Sequence, residues 1–281
     1  MTILWLGESL TYDSTLVGSK AANLNRFFRD YNIPPGFIIP ANYFLAKHIE
    51  DQNSTNYIQF SKAYKQLSLL VDTETLGVAI RSSSSHEDGS LTSFAGQHDT
   101  FLNVKGEPNV LKAIIECSHS ASTSRASEYK RILNIESDNS YISVIVQQMI
   151  PSEVSGIAFS SNPINKNNNE IFITTSWGLG ESIADGIVTP DNYIVDKSDN
   201  SIKLSQINRK EIMIIPSENG TIESQVSPDI QKESSISENQ IIEITDLIIK
   251  LENQMQKPVD VEFGYYKGIL YLLQCRPITT I

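Results

Sequence analysis

Between residues 141 and 207 the chain passes through "YISVIVQQMI", "VSGIAFSSNP", "EIFITTSWGL", "NYIVD" and "SIKLSQI". Each stretch is short, rich in β-branched and aromatic residues, and bounded by turn formers such as the "KSDNS" that joins the last two. So many adjacent strands, combined with helices elsewhere, favour an α+β or mixed α/β architecture.

The helices are punctuated. In "GSKAANLNRFFRDY" Ala21, Leu24, Phe28 and Tyr31 recur at three-to-four spacing until Pro34-Pro35-Gly36 ends the pattern. "ANYFLAKHIED" and "FSKAYKQLSLLV" read as two more helical stretches, separated by the turn "QNSTN", and "TLGVAIRSS" reads as a strand. "EPNVLKAIIECSHS" places Pro108 near a helix start and Val110, Leu111, Ile114 and Ile115 on one face. The last helix opens with a capping box, Ser237 to Gln240, and carries Ile241, Ile244, Ile248, Leu251 and Met255 along one side until Pro258 stops it. Residues 216–236 are the best candidate for a mobile loop, and the end of the chain, "VDVEFGYYKGILYLLQCRPI", reads as a hairpin.

Bulk properties narrow the function classes. The chain has 281 residues and a formal net charge of −11, against a nucleic-acid binder held by phosphate contacts. Nine acids and two lysines between Glu211 and Glu252 supply −7 of it, so a local cationic pocket remains open elsewhere. No run approaches a transmembrane length and "MTILWLGESL" lacks a secretory pattern, so a cytoplasmic location with no membrane partner is expected. Cys117 and Cys275 fit two reduced thiols, and His48, His86, His98 and His119 show no metal-ligand spacing. There is no Walker-type phosphate loop, no nucleophile elbow, and "WGLGESIADG" has Ile183 where a dinucleotide fingerprint needs its third glycine.

Three places could carry chemistry. In "VDVEF" alternation sets Val259, Val261 and Phe263 on one face and Asp260 and Glu262 on the other. If even positions pair with even, Glu262, Gln274 and Arg276 share a face, which suits a magnesium ion bridging phosphates or, equally, a solvated face with a surface ion pair. Lys20 stands in the first turn of its helix, either solvated or relieved by a bound anion. Arg81 ends a strand and enters "RSSSSHEDGSLTSFAGQHDTFLNV", where Gly96 would let backbone amides approach a phosphate.

Five ordered blocks carry a resemblance: "VGSKAANL" with "IPPGF", the 81–104 stretch, "VIVQQMIPSEVSGIAFSSNP", "WGLGESIADGIVTPDNYIVD" and "DVEFGYYKGILYLLQCRPIT". Together they resemble the N-terminal ATP-binding domain of the phosphoenolpyruvate synthase and pyruvate, phosphate dikinase family, over nearly the whole chain. The resemblance implies an ATP-grasp-like fold over 1–281, with approximate subdomains 1–135 and 136–281 and the nucleotide cleft between them. It implies that Lys20, Arg81 and Arg276 reach the ATP phosphates, with Arg81 and Arg276 catalytic. Gly96 and Thr100 belong to the loop over those phosphates, Gln147 lies near the base, and Glu262 and Gln274 hold Mg²⁺. ATP's about four negative charges are then met by three cationic side chains and the metal.

The resemblance further implies transfer to a histidine on a partner protein or a domain outside this sequence, releasing AMP and phosphate; the final small-molecule acceptor is unknown. No segment resembles the phosphohistidine motif, and His86 and His98 are expected to make local hydrogen bonds. His98 stands where relatives often have a second glutamine, and the stretch between "PPGF" and "VAIRSS" is shorter than in full-length relatives. A self-sufficient kinase acting on a small molecule, and a nucleotide-binding module without turnover, are the alternatives.

Overall fold

The computed structural model describes residues 2–45, 49–84, 100–119 and 142–278. The chain divides into two compact units: Met1–Met149 with Pro216–Gly220, and Ile150–Ile215 with Thr221–Ile281. The division falls after residue 149 rather than near 135 because the strand Ser143–Gln148 lies inside the first unit's sheet.

In the first unit the strands are β1 (Leu4–Trp5), β2 (Gly36–Ile39), β3 (Val78–Ser83), β4 (Thr100–Val104) and β5 (Ser143–Gln148). They form a five-stranded antiparallel sheet in the order β1-β2-β5-β3-β4. The helices are α1 (Ser14–Val17), α2 (Ser19–Phe27), α3 (Thr55–Leu70), α4 (Thr73–Leu76) and α5 (Glu107–His119). α3 starts where the Ser54 side chain accepts from the Tyr57 amide, a serine cap. Its Phe60, Ala63, Tyr64 and Leu67 join Val110 and Ile114 of α5 in the core. They pack on Phe37, Ile39, Val78, Ile80, Val144 and Val146 from one face of the sheet.

Two local expectations shift. Where the sequence suggests an α-helix, Ala41–Leu45 forms a 3₁₀ turn with Tyr43 and Phe44 buried, and residues 46–48 lie outside the described residues. On α2 the buried stripe is Ala21, Leu24 and Phe27, while Phe28 packs outside the helix end against Gly7.

Gly18 fixes how α2 meets the sheet. It has φ +79, and an added Cβ would lie 2.2 Å from the Ser83 carbonyl oxygen. This contact lets the Ser19 amide reach the Ser84 carbonyl at 3.0 Å and the Ala21 amide reach Ser83 Oγ at 3.0 Å. Gly18→Ala is therefore expected to cost about 1–3 kcal/mol, read as a lower denaturation midpoint. A midpoint equal to that of the wild type would show that α2 does not depend on this approach.

The second unit holds β6 (Val154–Phe159), β7 (Glu170–Trp177), β8 (Asp191–Asp196), β9 (Ile202–Gln206), β12 (Val259–Tyr266) and β13 (Ile269–Pro277). They form one antiparallel sheet in the order β13-β12-β6-β7-β8-β9. A separate pair, β10 (Ile212–Pro216) and β11 (Thr221–Gln225), forms a two-stranded hairpin, and the helices are α6 (Glu181–Ala184) and α7 (Glu238–Met255). One sheet face, with Val259, Val261, Phe263, Ile173, Tyr193 and Val195, is buried. α7 packs on β12 and β6 and buries Ile241, Ile244, Ile248 and Leu251. Its capping box is present, Ser237 and Gln240 each accepting from the other's backbone amide, and it ends at Gln256 in the left-handed region before Pro258.

Residues 216–236 are not a loose excursion. They contain the hairpin's turn, with Gly220 at φ +73, then β11, then a segment with Val226, Gln231, Ser235 and Ile236 buried. Asp191 anchors that segment: one carboxylate oxygen accepts from the Ser235 amide and hydroxyl, and the other from Lys210 Nζ at 2.7 Å and the Asn208 amide. In the first unit, Asn103 Nδ2 donates to the carbonyls of Ser217 and Gly220 at 2.7 and 2.8 Å. No described helix is long and apolar enough to cross a membrane.

Candidate functional site

The first unit brings four of the candidate residues to one side of its sheet. Residues paired directly across antiparallel strands project to the same face. Arg81 on β3 pairs with Thr100 on β4 and Ile145 on β5, while Gln147 on β5 pairs with Ala79 and with Gly36 on β2. All lie opposite the face packed against α3 and α5. Ser83 shares this parity, and its hydroxyl accepts the Ala21 amide, so the first turn of α2, with half-buried Lys20, sits at the end of the strand that carries Arg81. Strand parity and a glycine-gated helix start thus bring the helix turn that carries Lys20 to the end of the strand that carries Arg81, although the two are far apart in sequence.

Gln147 is only 3% exposed, and its Nε2 donates to the Pro34 carbonyl at 3.0 Å. An added Cβ on Gly36 would come within 2.8 Å of Gln147 Cγ, so the "PPGF" turn is shaped around this glutamine. Gly96, His86 and His98 lie outside the described residues.

The second unit carries three further candidate residues, Glu262, Gln274 and Arg276. On the terminal hairpin Asp260 pairs with Arg276 and Glu262 with Gln274. The even-with-even register therefore holds for these four residues, and all four share the face opposite α7. A register shift directly after Glu262 ends that pairing, so the arrangement is confined to the last residues of β13. Arg276 donates from Nε and Nη2 to Asp260 Oδ2 at 2.7 and 2.6 Å. Burial pushes the Asp260 carboxyl up from its ordinary value; the Arg276 charge and hydrogen bond offset part of this, and the Glu262 charge adds to it. Alternation alone sets Asp260 on this face without giving it a role. Its function in aiming the guanidinium becomes visible only once the register is known.

Glu262 is half-buried and Gln274 is 6% exposed. A carboxylate and a carboxamide on directly paired strands are two oxygen donors within reach of one small cation. Among the described residues no group of three or more His, Cys, Asp or Glu side chains could hold a metal ion. Such a pair suits Mg²⁺, which takes one or two protein oxygens and completes its shell with water and phosphate. The same face continues from Glu262 to Ile157, Thr174 and Asn192 across β6, β7 and β8, with Thr174 Oγ1 donating to Asn192 Oδ1 at 3.3 Å.

A family model described as pyruvate phosphate dikinase, AMP/ATP-binding domain, matches residues 57–281. A probable phosphoenolpyruvate synthase of Methanocaldococcus jannaschii is 32% identical over 99% of this chain and 27% of its own length. A Bacillus subtilis protein named as an uncharacterized phosphotransferase is 38% identical over 95% of this chain and 34% of its own length. The phosphoenolpyruvate synthase of Pyrococcus furiosus is 40% identical over 79% of this chain and 28% of its own length. The chain thus spans about a third or less of these relatives. Among solved structures, D-alanyl-alanine synthetase A of Vibrio cholerae O1 matches at 10% identity and a TM-score of 0.38, over 94% of this chain and 55% of that one, a likeness too loose to build on.

Proposed function

As this chain belongs to the pyruvate phosphate dikinase AMP/ATP-binding domain family, we propose that it is the ATP-using component of a phosphotransferase that charges a histidine on a partner protein or domain. The reading follows an ATP-grasp-like scheme in which each unit supplies phosphate ligands to the same nucleotide. Lys20 and Arg81, with Thr100 and the glycine loop around Gly96, hold the triphosphate from the first unit, and Gln147 lines the side nearest the base. Arg276 holds it from the second unit, aimed by Asp260. Glu262 and Gln274 hold Mg²⁺, which when bound neutralises phosphate charge. Phosphoryl transfer needs positioned cations more than a covalent nucleophile, and these residues supply them.

Overall, ATP, water and the histidine become AMP, inorganic phosphate and phosphohistidine, with the β-phosphorus passing from the oxygen it shared with the α-phosphate to an imidazole nitrogen. The observation that carries this reading is the paired register Asp260–Arg276 and Glu262–Gln274 on one sheet face. Calorimetry with Mg·ATP is expected to show binding, and incubation with ATP and a histidine-bearing acceptor to yield AMP. ADP in place of AMP would point to a simple kinase, and binding without any product would point to a nucleotide-binding module; either overturns the dikinase reading.

A further inference from the structure

Strand β4 carries one residue more than its pairing with β3 needs. Val104 pairs with Val78 and Phe101 with Ile80, so Leu102 and Asn103 together oppose Ala79. This is a β-bulge, and one inserted residue turns every side chain beyond it to the other face. Phe101 and Val104 accordingly both pack on the core shared with α3 and α5, although strict alternation would send them to opposite faces. The same inserted residue sets Thr100 directly opposite Arg81, on the face that also carries Gln147. With unbroken pairing from Val104 onward, Thr100 would stand opposite Ser82, whose partner Val144 belongs to the core face.

We propose that Asn103 is the positioning residue that keeps Thr100 on the phosphate side of the sheet, an inference that rests on the function proposed above. Asn103 has φ +55, the left-handed conformation that asparagine tolerates and β-branched residues resist. Its hydrogen bonds hold it there. Nδ2 donates to the carbonyls of Ser217 and Gly220, and the Gly220 amide donates to the Asn103 carbonyl at 3.3 Å, all within the first unit. Two carbonyl acceptors fix which way the carboxamide faces. Gly77, itself at φ +59, leaves the room, since an added Cβ there would lie 2.8 Å from the Asn103 carbonyl carbon. Asn103 is 0% exposed, and its Oδ1 has no hydrogen-bond partner. A buried orphan acceptor costs stability, so this asparagine serves the bulge rather than the strength of the strand.

Calorimetry with Mg·ATP on three variants tests this. Asn103→Val resists the left-handed conformation, so the strand straightens and Thr100 turns inward. Affinity is expected to fall at least about tenfold, the size of one lost hydrogen bond to a charged phosphate. Asn103→Gly keeps the left-handed backbone, and deletion of Asn103 gives a strand without the bulge in which Thr100 again faces Arg81. Both lose the carboxamide clamp, yet both are expected to bind within about threefold of the wild type. A merely structural asparagine would give the opposite order, with the deletion weakest. In a Thr100→Val background, Asn103→Val is expected to add no further loss, because its effect passes through Thr100. A smaller loss in Asn103→Val, a larger one in either of the other two, or an equal loss with and without Thr100 overturns the proposal. If Asn103→Val does not fold, the glycine and deletion variants still decide. A wild-type chain that does not bind Mg·ATP overturns the nucleotide reading itself, and Thr100→Val at wild-type affinity overturns the place of Thr100 in it; neither result depends on Asn103.

Discussion

Replacing Asp191 with alanine is expected to cost about 3–5 kcal/mol of stability, because it strands a buried ammonium. Asp191 and Lys210 are both 0% exposed, and their side chains meet at 2.7 Å. Lys210 Nζ also donates to the carbonyls of Asn208 and Glu233 at 2.8 and 3.0 Å. Without Asp191, that charge keeps two neutral acceptors and no counter-ion. The converse change is milder. In Lys210→Met the carboxylate still accepts from the Asn208 amide and from the Ser235 amide and hydroxyl. The order of loss is therefore Asp191→Ala above Lys210→Met, and the double variant should lose less than the two single losses added together. Urea denaturation of the three variants reads this directly. A midpoint for Asp191→Ala equal to that of the wild type would mean that the pair does not hold the segment. The consequence reaches the site, because the anchored residues Ser235 and Ile236 lead straight into the cap of α7, and α7 backs the strand that carries Asp260 and Glu262.

What could be read from the residues depended on whether a local pattern or a distant partner decides the structure. The terminal hairpin was legible because β12 alternates without interruption and Pro258 marks its start, and the helix before it because Ser237 and Gln240 cap each other without help from the rest of the chain. Register was legible only as a condition, since nothing local in "VDVEF" or "ILYLLQCRP" announces the shift after Glu262. The segment 216–236 reads as a loop because "TIESQ" is mostly polar and exposed, and its order comes from Asp191 and Lys210, which lie outside it. The 3₁₀ turn at Ala41–Leu45 was illegible for the same kind of reason: the burial of Tyr43 and Phe44 in the core overrides the local helical tendency. Gln147 shows how a site residue depends on the fold, since its sequence neighbours say strand end while its engagement with Pro34 and Gly36 appears only once β2 and β5 pair.

Arg276→Ala is expected to lower ATP turnover by about 10²–10³-fold, the usual size when one donor aimed at developing charge is removed. Asp260→Asn should cost less, about 10–100-fold, since it removes the charge that aims the guanidinium and leaves Arg276 itself in place. The pair also predicts a pH signature in stability. In the wild type, burial raises the Asp260 carboxyl and Arg276 opposes it. Taking Arg276 away removes both opposing contributions, and burial and the Glu262 charge then act unopposed, so the carboxyl rises further above its ordinary 3.8. A folded-state pKa above the unfolded one means that the protonated form is favoured in the fold. The associated stability is present in full below the ordinary value and is lost as the pH rises through the folded-state pKa. The melting temperature of Arg276→Ala should therefore fall further below that of the wild type as the pH is raised from acid to neutral, and the gap should shrink in Asp260→Asn/Arg276→Ala, which has no carboxyl left to charge. A gap that stays the same at every pH would mean that Arg276 does not hold the Asp260 carboxyl down, and turnover in Arg276→Ala within threefold of the wild type would separate Arg276 from the phosphate chemistry assigned to it.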